Sequence, residues 1–216
     1  KKIEQLFGIK PAVFRNTELV YSDKISELVS NMGFKAMLAE GADHVLGWKS
    51  PNFLYCSATS PGLKVLLKNY RLSDDIAFRF SQSQWSGWPL TADKYVSWLN
   101  AIPAADEIIN LFMDYETFGE HQWGDTGIFE FLGHLPSQWM KTPDNTFMTV
   151  SEAIDAFEPK DQIDSPYTTT WADTERDLSA WLGNGLQQQS ISGLYELEET
   201  VLGSGDLSLI EDWRRL

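Results

Sequence analysis

Glu107-Ile-Ile-Asn-Leu-Phe-Met113 runs straight into Asp114-Tyr115-Glu116. A short apolar run of this kind, ended by acids, predicts a buried strand that presents carboxylates at its C-terminal end. On its N-terminal side, Thr91 to Asn100 predicts a helix capped by Thr91. On its C-terminal side, Thr126 to Met140 predicts the next helix, Thr146-Phe-Met-Thr-Val150 a short strand, and 151–157 a helix capped by Ser151. Nearer the N-terminus, residues 1–7 read as a helix end and 11–16 as a strand after the break at Gly8. Ser22 to Met32 has helical spacing at Ile25, Leu28, Val29 and Met32, with Gly33 as the stop. Strands are expected at 35–40, 53–56 and 63–67, the last two separated by Ser60-Pro61-Gly62. From Asp173 onward the pattern is helical, broken at Gly183-Asn-Gly185 and Gly203-Ser-Gly205. Strand and helix alternate from 11 to 157, which predicts parallel βαβ units. Five or six strands are too few for a closed eight-stranded barrel, leaving an open α/β sheet or part of a barrel.

The chain has 216 residues, room for one large domain with its own core. Hydrophobic residues at 43% and charged residues at 22% exclude wholesale disorder. No apolar run approaches the ~18 residues of a membrane-spanning helix. The N-terminal Lys1-Lys2-Ile3-Glu4-Gln5 lacks the apolar core of a signal peptide. The net charge is −14, and it is uneven: 13 basic and 16 acidic residues in 1–143, against 4 and 15 in 144–216. The acidic C-terminal part reads as solvated helical surface. No basic cluster exists to bind phosphate backbones, so nucleic acid and anionic membrane are not expected partners. The single Cys56 fits a reducing compartment, and the expected location is cytoplasmic.

Aromatic residues are abundant, with 9 Trp, 7 Tyr and 12 Phe. Trp48, Trp85, Trp88 and Trp123 sit beside Gly, Pro or polar residues rather than in apolar runs. One reading is a large core with aromatic plugs at loop bases. The other is a sugar-binding cleft, since a pyranose has an apolar face that stacks on indole and hydroxyls that need polar neighbours.

In parallel α/β folds, chemistry gathers at the C-terminal ends of strands. Two acids fall there: Glu18 after the strand at 11–16, and Asp114 after 107–113. Glycoside hydrolysis needs such a pair, one carboxylate at the anomeric carbon and one carboxylic acid protonating the leaving oxygen. The acid needs an apolar or like-charged setting to keep its proton. Asp114 follows an apolar run and has Glu116 close by, which suits that role. The competing reading is that each acid caps the helix after its strand. Asp114, Glu116, Glu120 and His121 are ligand types within eight residues, but their spacing matches no zinc motif, and no metal or cofactor is expected.

The same residues carry a family resemblance. Val13-Phe-Arg15-Asn-Thr-Glu18-Leu-Val-Tyr21 and Met113-Asp114-Tyr-Glu116-Thr-Phe-Gly-Glu-His121-Gln-Trp123 resemble two signature regions of glycoside hydrolase family 57, in its α-amylase branch. Trp171-Ala-Asp173-Thr-Glu-Arg-Asp177-Leu-Ser-Ala-Trp181-Leu-Gly-Asn184 resembles a third. The resemblance implies retaining hydrolysis or transfer at α-glucosidic bonds on a seven-stranded (β/α) barrel followed by a helical segment. It matches Glu18 to the nucleophile and Asp114 to the general acid/base. It places Glu116, His121 and Trp123 along the sugar subsites, and Asp173, Asp177 and Trp181 in a C-terminal region that closes the cleft. Arg15, Trp48, Trp85 and Trp88 complete the expected substrate-binding set. The family's His-Gln-Pro tripeptide and its second, Gly-to-Glu region do not occur here.

The expected architecture is therefore α/β: a partial (β/α)7, TIM-like barrel with parallel strands over 1–160, then a helical segment over 161–216 that contributes to the cleft. The expected function is an α-amylase-like glycosidase acting on α-1,4-glucans. The alternatives are 4-α-glucanotransferase or branching activity, a metal-dependent carbohydrate hydrolase such as a deacetylase, and, from another class, an inactive fragment or a non-catalytic glucan-binding or regulatory piece. Oligomeric state is not legible in the sequence.

Overall fold

The computed structural model describes residues 2–216, which divide into two compact units, one up to residue 170 and one over 171–216. The first opens with α1 (Lys2–Phe7) and β1 (Val13–Arg15), followed by α2 (Asp23–Asn31) and β2 (Ala36–Glu40). Ser22 caps α2 by accepting from the Ile25 amide at 3.3 Å, and Gly33 ends it with φ +84°. Next come α3 (Asp43–Leu46), β3 (Leu54–Ser57), β4 (Lys64–Lys68), α4 (Tyr70–Ala77) and α5 (Ala92–Asn100). After two short 3-10 turns at 115–117 and 124–126 come α6 (Ile128–Trp139), α7 (Val150–Ala156) and β5 (Gln162–Ile163).

The five strands form one sheet in the order β1-β2-β4-β3-β5. The βαβ reading holds for β1 and β2, which run parallel with Arg15 opposite Leu38, and for β2 and β4, parallel with Glu40 opposite Lys68. β3 departs from it, pairing antiparallel with β4 through Leu54↔Leu66. The reason is length. The turn at Ser60-Pro61-Gly62 leaves too few residues for the crossover of a dozen or more that a parallel pair requires.

Two further strand expectations fail. Residues 107–113 form no strand, and both edges of the nearby β4 are already occupied, by β2 and β3. The segment lies instead across the C-terminal end of β4, where the Asn69 amide donates to the Asn110 carbonyl and the Asn110 side chain donates to the Leu67 carbonyl. Residues 146–149 form no strand either. Thr146 accepts from the Trp139 indole at the end of α6, and α7 begins at Val150 rather than after Ser151. The cap is Thr149, reciprocated by Glu152 in a capping box, a Thr-x-x-Glu signature the sequence displays openly.

Two apolar clusters hold this unit together. One joins the sheet to its covering helix through Met37, Ala39, Val65, Leu67, Tyr55 and Val29. The other gathers Ile76, Leu90, Tyr95, Leu99, Ile128 and Phe131 from α4, α5, α6 and the chain between them. Lys68 and Glu40 are buried at the ends of their strands, with Lys68 Nζ 3.7 Å from Glu40 and 3.0 Å from Asp74.

The second unit is helical: α8 (Ser179–Leu182), α9 (Gly185–Glu196), α10 (Glu198–Gly203) and α11 (Leu207–Arg215). Asn184 and Asp206 cap α9 and α11, and the Trp213 indole donates to the Leu194 carbonyl. No helix among the described residues is long and apolar enough to cross a membrane.

Candidate active site

β1 delivers its chemistry through a tight turn. Arg15 is the last residue of the strand, and Asn16 then folds its side chain over the following backbone. Asn16 Oδ1 accepts from the Glu18 amide at 2.9 Å and the Asn16 carbonyl accepts from the Leu19 amide at 3.0 Å. Leu19 is fully buried and sits at φ +50°, a left-handed conformation that a bulky residue adopts only when its surroundings impose it. The half-buried Glu18 thus rides on a turn fixed from both sides, by Asn16 before it and Leu19 after it.

Asp114 arrives by a different route. Asn110 pins its segment to the ends of β4 and of the 51–52 loop, through the Leu67 and Pro51 carbonyls. The Phe112 amide donates to Ser73 Oγ, midway along α4. Beyond Asp114 the chain closes on itself: the Glu116 carbonyl accepts from the Glu120 and His121 amides, and the Gly119 amide donates to the Gln122 carbonyl. Gly119 has φ +117°, and a Cβ there would lie 3.3 Å from the Phe129 ring. Gln122, nearly fully buried, locks the loop down by donating from Nε2 to the Ala77 carbonyl at 2.9 Å.

The two segments meet. Arg15 Nη2 is 3.8 Å from Asp114 Oδ1, so the acid after 107–113 stands beside the residue that leads into the Glu18 turn. The capping alternative is not what the structure displays. Ser22, not Glu18, caps α2, and Asp114 makes no side-chain cap bond to the 3-10 turn behind it. The Arg15 cation stands beside Asp114, and Glu116, two residues further on, is exposed.

The remaining expected residues fall into three groups. His121 and Trp123 are exposed on or just past the Asp114 loop, Trp123 to 68%. Trp48 and Trp88 are exposed elsewhere, to 89% and 48%, whereas Trp85 is packed edge-on against Trp98, with ring centroids 5.9 Å apart. Asp173, Asp177 and Trp181 belong to the second unit, where Asp173 has φ +54° and Asp177 Oδ1 accepts from the Ser179 amide. Tyr115, adjacent to Asp114 and 95% exposed, was not singled out in the sequence. Neither were the anchors Asn16, Asn110 and Gln122, although an Asn directly after a strand is a readable turn signal. Among the described residues, no three His, Cys, Asp or Glu side chains gather as they would around a metal ion.

Known proteins resemble this chain in fold and in sequence. The crystal structure of a 4-alpha-glucanotransferase from Thermococcus litoralis superposes with a TM-score of 0.64 at 17% identity, over 99% of this chain and 31% of that one. That likeness concerns the fold, and it makes the mixed, mostly parallel sheet with its helices part of a TIM-like barrel. A putative alpha-amylase of Methanocaldococcus jannaschii is 51% identical over 203 residues, 93% of this chain and 43% of its own length. This chain therefore spans less than half the length of that relative. The sequence model of glycosyl hydrolase family 57 matches residues 1–166, which include both the Glu18 turn and the Asp114 loop. The chain belongs to glycosyl hydrolase family 57.

Proposed function

We propose that this chain carries the reacting carboxylates of a retaining glycosidase that cuts α-1,4-glucans, as an α-amylase does. The observation that carries the reading is the Arg15–Asp114 contact of 3.8 Å, which ties the Asp114 loop to the strand end that leads into Glu18. In the first step a Glu18 carboxylate oxygen bonds to the anomeric carbon, the glycosidic C–O bond breaks, and Asp114 gives its proton to the departing oxygen. In the second, Asp114 takes a proton from water, the resulting hydroxyl bonds to the anomeric carbon, and Glu18 leaves as carboxylate. Tyr115, next to Asp114, and His121 and Trp123, on or just past the Asp114 loop, are exposed and suited to stack on or hydrogen-bond the sugar. The roles of Glu116, Asp173, Asp177 and Trp181 rest on the family resemblance, and alanine variants of each test them.

Transfer to a second sugar in place of water is the sister reaction. Incubation with maltoheptaose separates the two, because products longer than the substrate mean transfer. We infer a reducing, cytoplasmic setting from the single cysteine of this chain, Cys56.

The deciding experiment is α-1,4-glucan hydrolysis by the full-length protein beside Glu18→Gln and Asp114→Asn. Each variant is expected to lose at least about 10³-fold in kcat, of the order seen when a unit of catalytic residues is broken. Undiminished activity in either would refute its catalytic role. Mutarotation of the product reports retention, which requires carboxyl groups about 5 Å apart.

A further inference from the structure

Three charged side chains that the chemistry above does not use are buried together at the ends of β2 and β4. Glu40 and Lys68, the last residues of those strands, stand opposite one another in the parallel register. Lys68 Nζ lies 3.7 Å from Glu40 Oε2 and donates to Asp74 Oδ1 at 3.0 Å, and Asp74 belongs to α4. Glu40 is 1% exposed, Lys68 3% and Asp74 9%. Taking charges this far out of water is costly, and such a set adds little net stability over well-packed apolar side chains of similar volume. What it supplies is direction, because its contacts form only when β2, β4 and α4 stand in one register.

The Asp114 loop rests on α4. Before Asp114, the Phe112 amide donates to Ser73 Oγ at 3.2 Å, and after it Gln122 Nε2 donates to the Ala77 carbonyl at 2.9 Å. Asp74 lies between these two anchors along α4. On β4, the residues either side of Lys68 hold Asn110. The Leu67 carbonyl accepts from Asn110 Nδ2 at 3.0 Å, and the Asn69 amide donates to the Asn110 carbonyl at 2.9 Å. The Lys68–Asp74 contact thus sits among four hydrogen bonds that fix the chain on both sides of Asp114. Through Glu40 the same cation reaches β2, which pairs with β1, and Arg15 at the end of β1 leads into the Glu18 turn. Apolar packing of α4, through Ile76 in the second cluster, is non-directional and does not by itself choose one seat for the helix.

We infer that Lys68 and Asp74 are positioning residues for Asp114: their buried contact, braced by Glu40, seats α4 and with it the Asp114 loop against the strands that carry the Glu18 turn. The inference rests on the catalytic reading of Glu18 and Asp114 above, and gives these buried charges a part in the chemical step rather than in stability.

The test compares the full-length protein with Asp74→Asn and with the combined change Glu40→Leu, Lys68→Met and Asp74→Leu. Asp74→Asn keeps the shape of the side chain and leaves Lys68 answered by Glu40. The combined variant exchanges the whole charged set for apolar side chains, a replacement that often leaves stability unchanged. Both are expected to lower kcat on α-glucan, about tenfold in the first and about 10²-fold in the second, with KM within about twofold, the effect of misplacing a reacting group by an ångström. Hydrogen exchange supplies a readout that needs no substrate: amides over 112–122 are expected to exchange faster than in the parent, and those of β2 and β4 at the parent rate. Parent-like kcat and exchange in a folded Asp74→Asn overturn the inference. So does exchange raised throughout the unit with a lowered melting temperature, since the set would then serve stability alone. If the combined variant does not fold, Asp74→Asn decides by the same two readouts. If the parent does not cleave α-glucan, or Glu18→Gln leaves cleavage intact, the catalytic reading is the part that fails. Exchange over 112–122 then decides alone whether Lys68 and Asp74 hold the loop.

Discussion

Arg15 and Asp114 approach to 3.8 Å although 99 positions separate them in the sequence, and each side chain is about a third exposed. At that exposure an ion pair contributes little to stability, roughly 0–1 kcal/mol. Its consequence is positional. It joins the end of β1 to the loop that carries Asp114, and so brings the two acid-bearing segments to one place on the rim.

Arg15→Ala is accordingly expected to lower kcat/KM for α-glucan about tenfold or more while moving the melting temperature of the full-length protein by no more than about 2 °C. Arg15→Lys is expected to recover little, because a flexible point charge does not reproduce a planar guanidinium. Steady-state kinetics beside a thermal melt decides it. A large loss of stability with unaltered kinetics would mean that the pair is structural.

The Glu18 turn makes a second demand. Asn16 Oδ1 organises it, and Leu19 at φ +50° stores strain of roughly 1–3 kcal/mol that the surrounding packing offsets. In Asn16→Ala the amide of Glu18 loses its acceptor and the turn relaxes. We expect a loss of ~1 kcal/mol in stability and a fall in kcat larger than the fall in affinity, since the role proposed for Glu18 lies in the chemical step. Measuring kcat and KM separately tests this, and a pure KM effect would contradict it.

Much of this arrangement was legible in the sequence, for identifiable reasons. Helix α2 reads cleanly because its cap at Ser22, its apolar spacing and its stop at Gly33 are all local signals. Glu18 and Asp114 stand out as candidates because a carboxylate just past an apolar run is a local pattern as well. The strand reading of 107–113 failed for a non-local reason: an apolar extended run becomes a strand only where a partner edge is open, and the β3–β4 hairpin had filled the one beside it. The hairpin itself was readable from the shortness of its turn. Thr146–Thr149 misled in the same way, with the true cap at Thr149 visible as Thr-x-x-Glu. Arg15 was expected to touch sugar, and its partnership with Asp114 has no trace in spacing because it joins segments far apart in the chain.

Gly41 gives a third prediction, on stability. The β2 backbone passes so near β4 that a Cβ at this position would overlap the Lys68 carbonyl oxygen at 2.1 Å, and backbone has little freedom to yield. Gly41→Ala should cost about 3 kcal/mol, at the upper end of what overpacking does. Denaturant unfolding measures this directly, and a change below about 0.5 kcal/mol would show that the two strand ends can separate.

Acid should loosen the link between Lys49, in the chain before β3, and the start of β5. Lys49 donates to the Asp161 carboxylate and the Gln162 amide donates to Asp161 Oδ1 at 2.8 Å, holding this carboxyl below its ordinary range. Because the folded state depresses the group, its contribution is present above the unfolded value near ~3.9 and is lost as pH falls through the folded one. Melting temperatures taken from pH 6 down to pH 2 should therefore decline less steeply in Asp161→Asn than in the parent. Parallel curves would count against Asp161 as a source of the acid sensitivity.

Alkali should act on Tyr55 with the opposite sense. Its hydroxyl donates to the Ser50 carbonyl from inside the first core cluster. Burial, and behind it the negative charges of Asp161 and Asp106, push the phenol up to about 12. An unfolded tyrosine ionises near ~10, so between these values the folded chain keeps a proton that the unfolded chain has released. The contribution is fully present below pH ~10 and is lost as pH rises through the folded value. Tyr55→Phe removes the ionising group and should flatten the fall in stability between roughly pH 10 and 12, at the cost of the Ser50 hydrogen bond at neutral pH. Unfolding followed at pH 8, 10 and 11.5 separates the two effects. A constant difference between variant and parent at all three would leave only the lost hydrogen bond, and the alkaline lability would belong to another group.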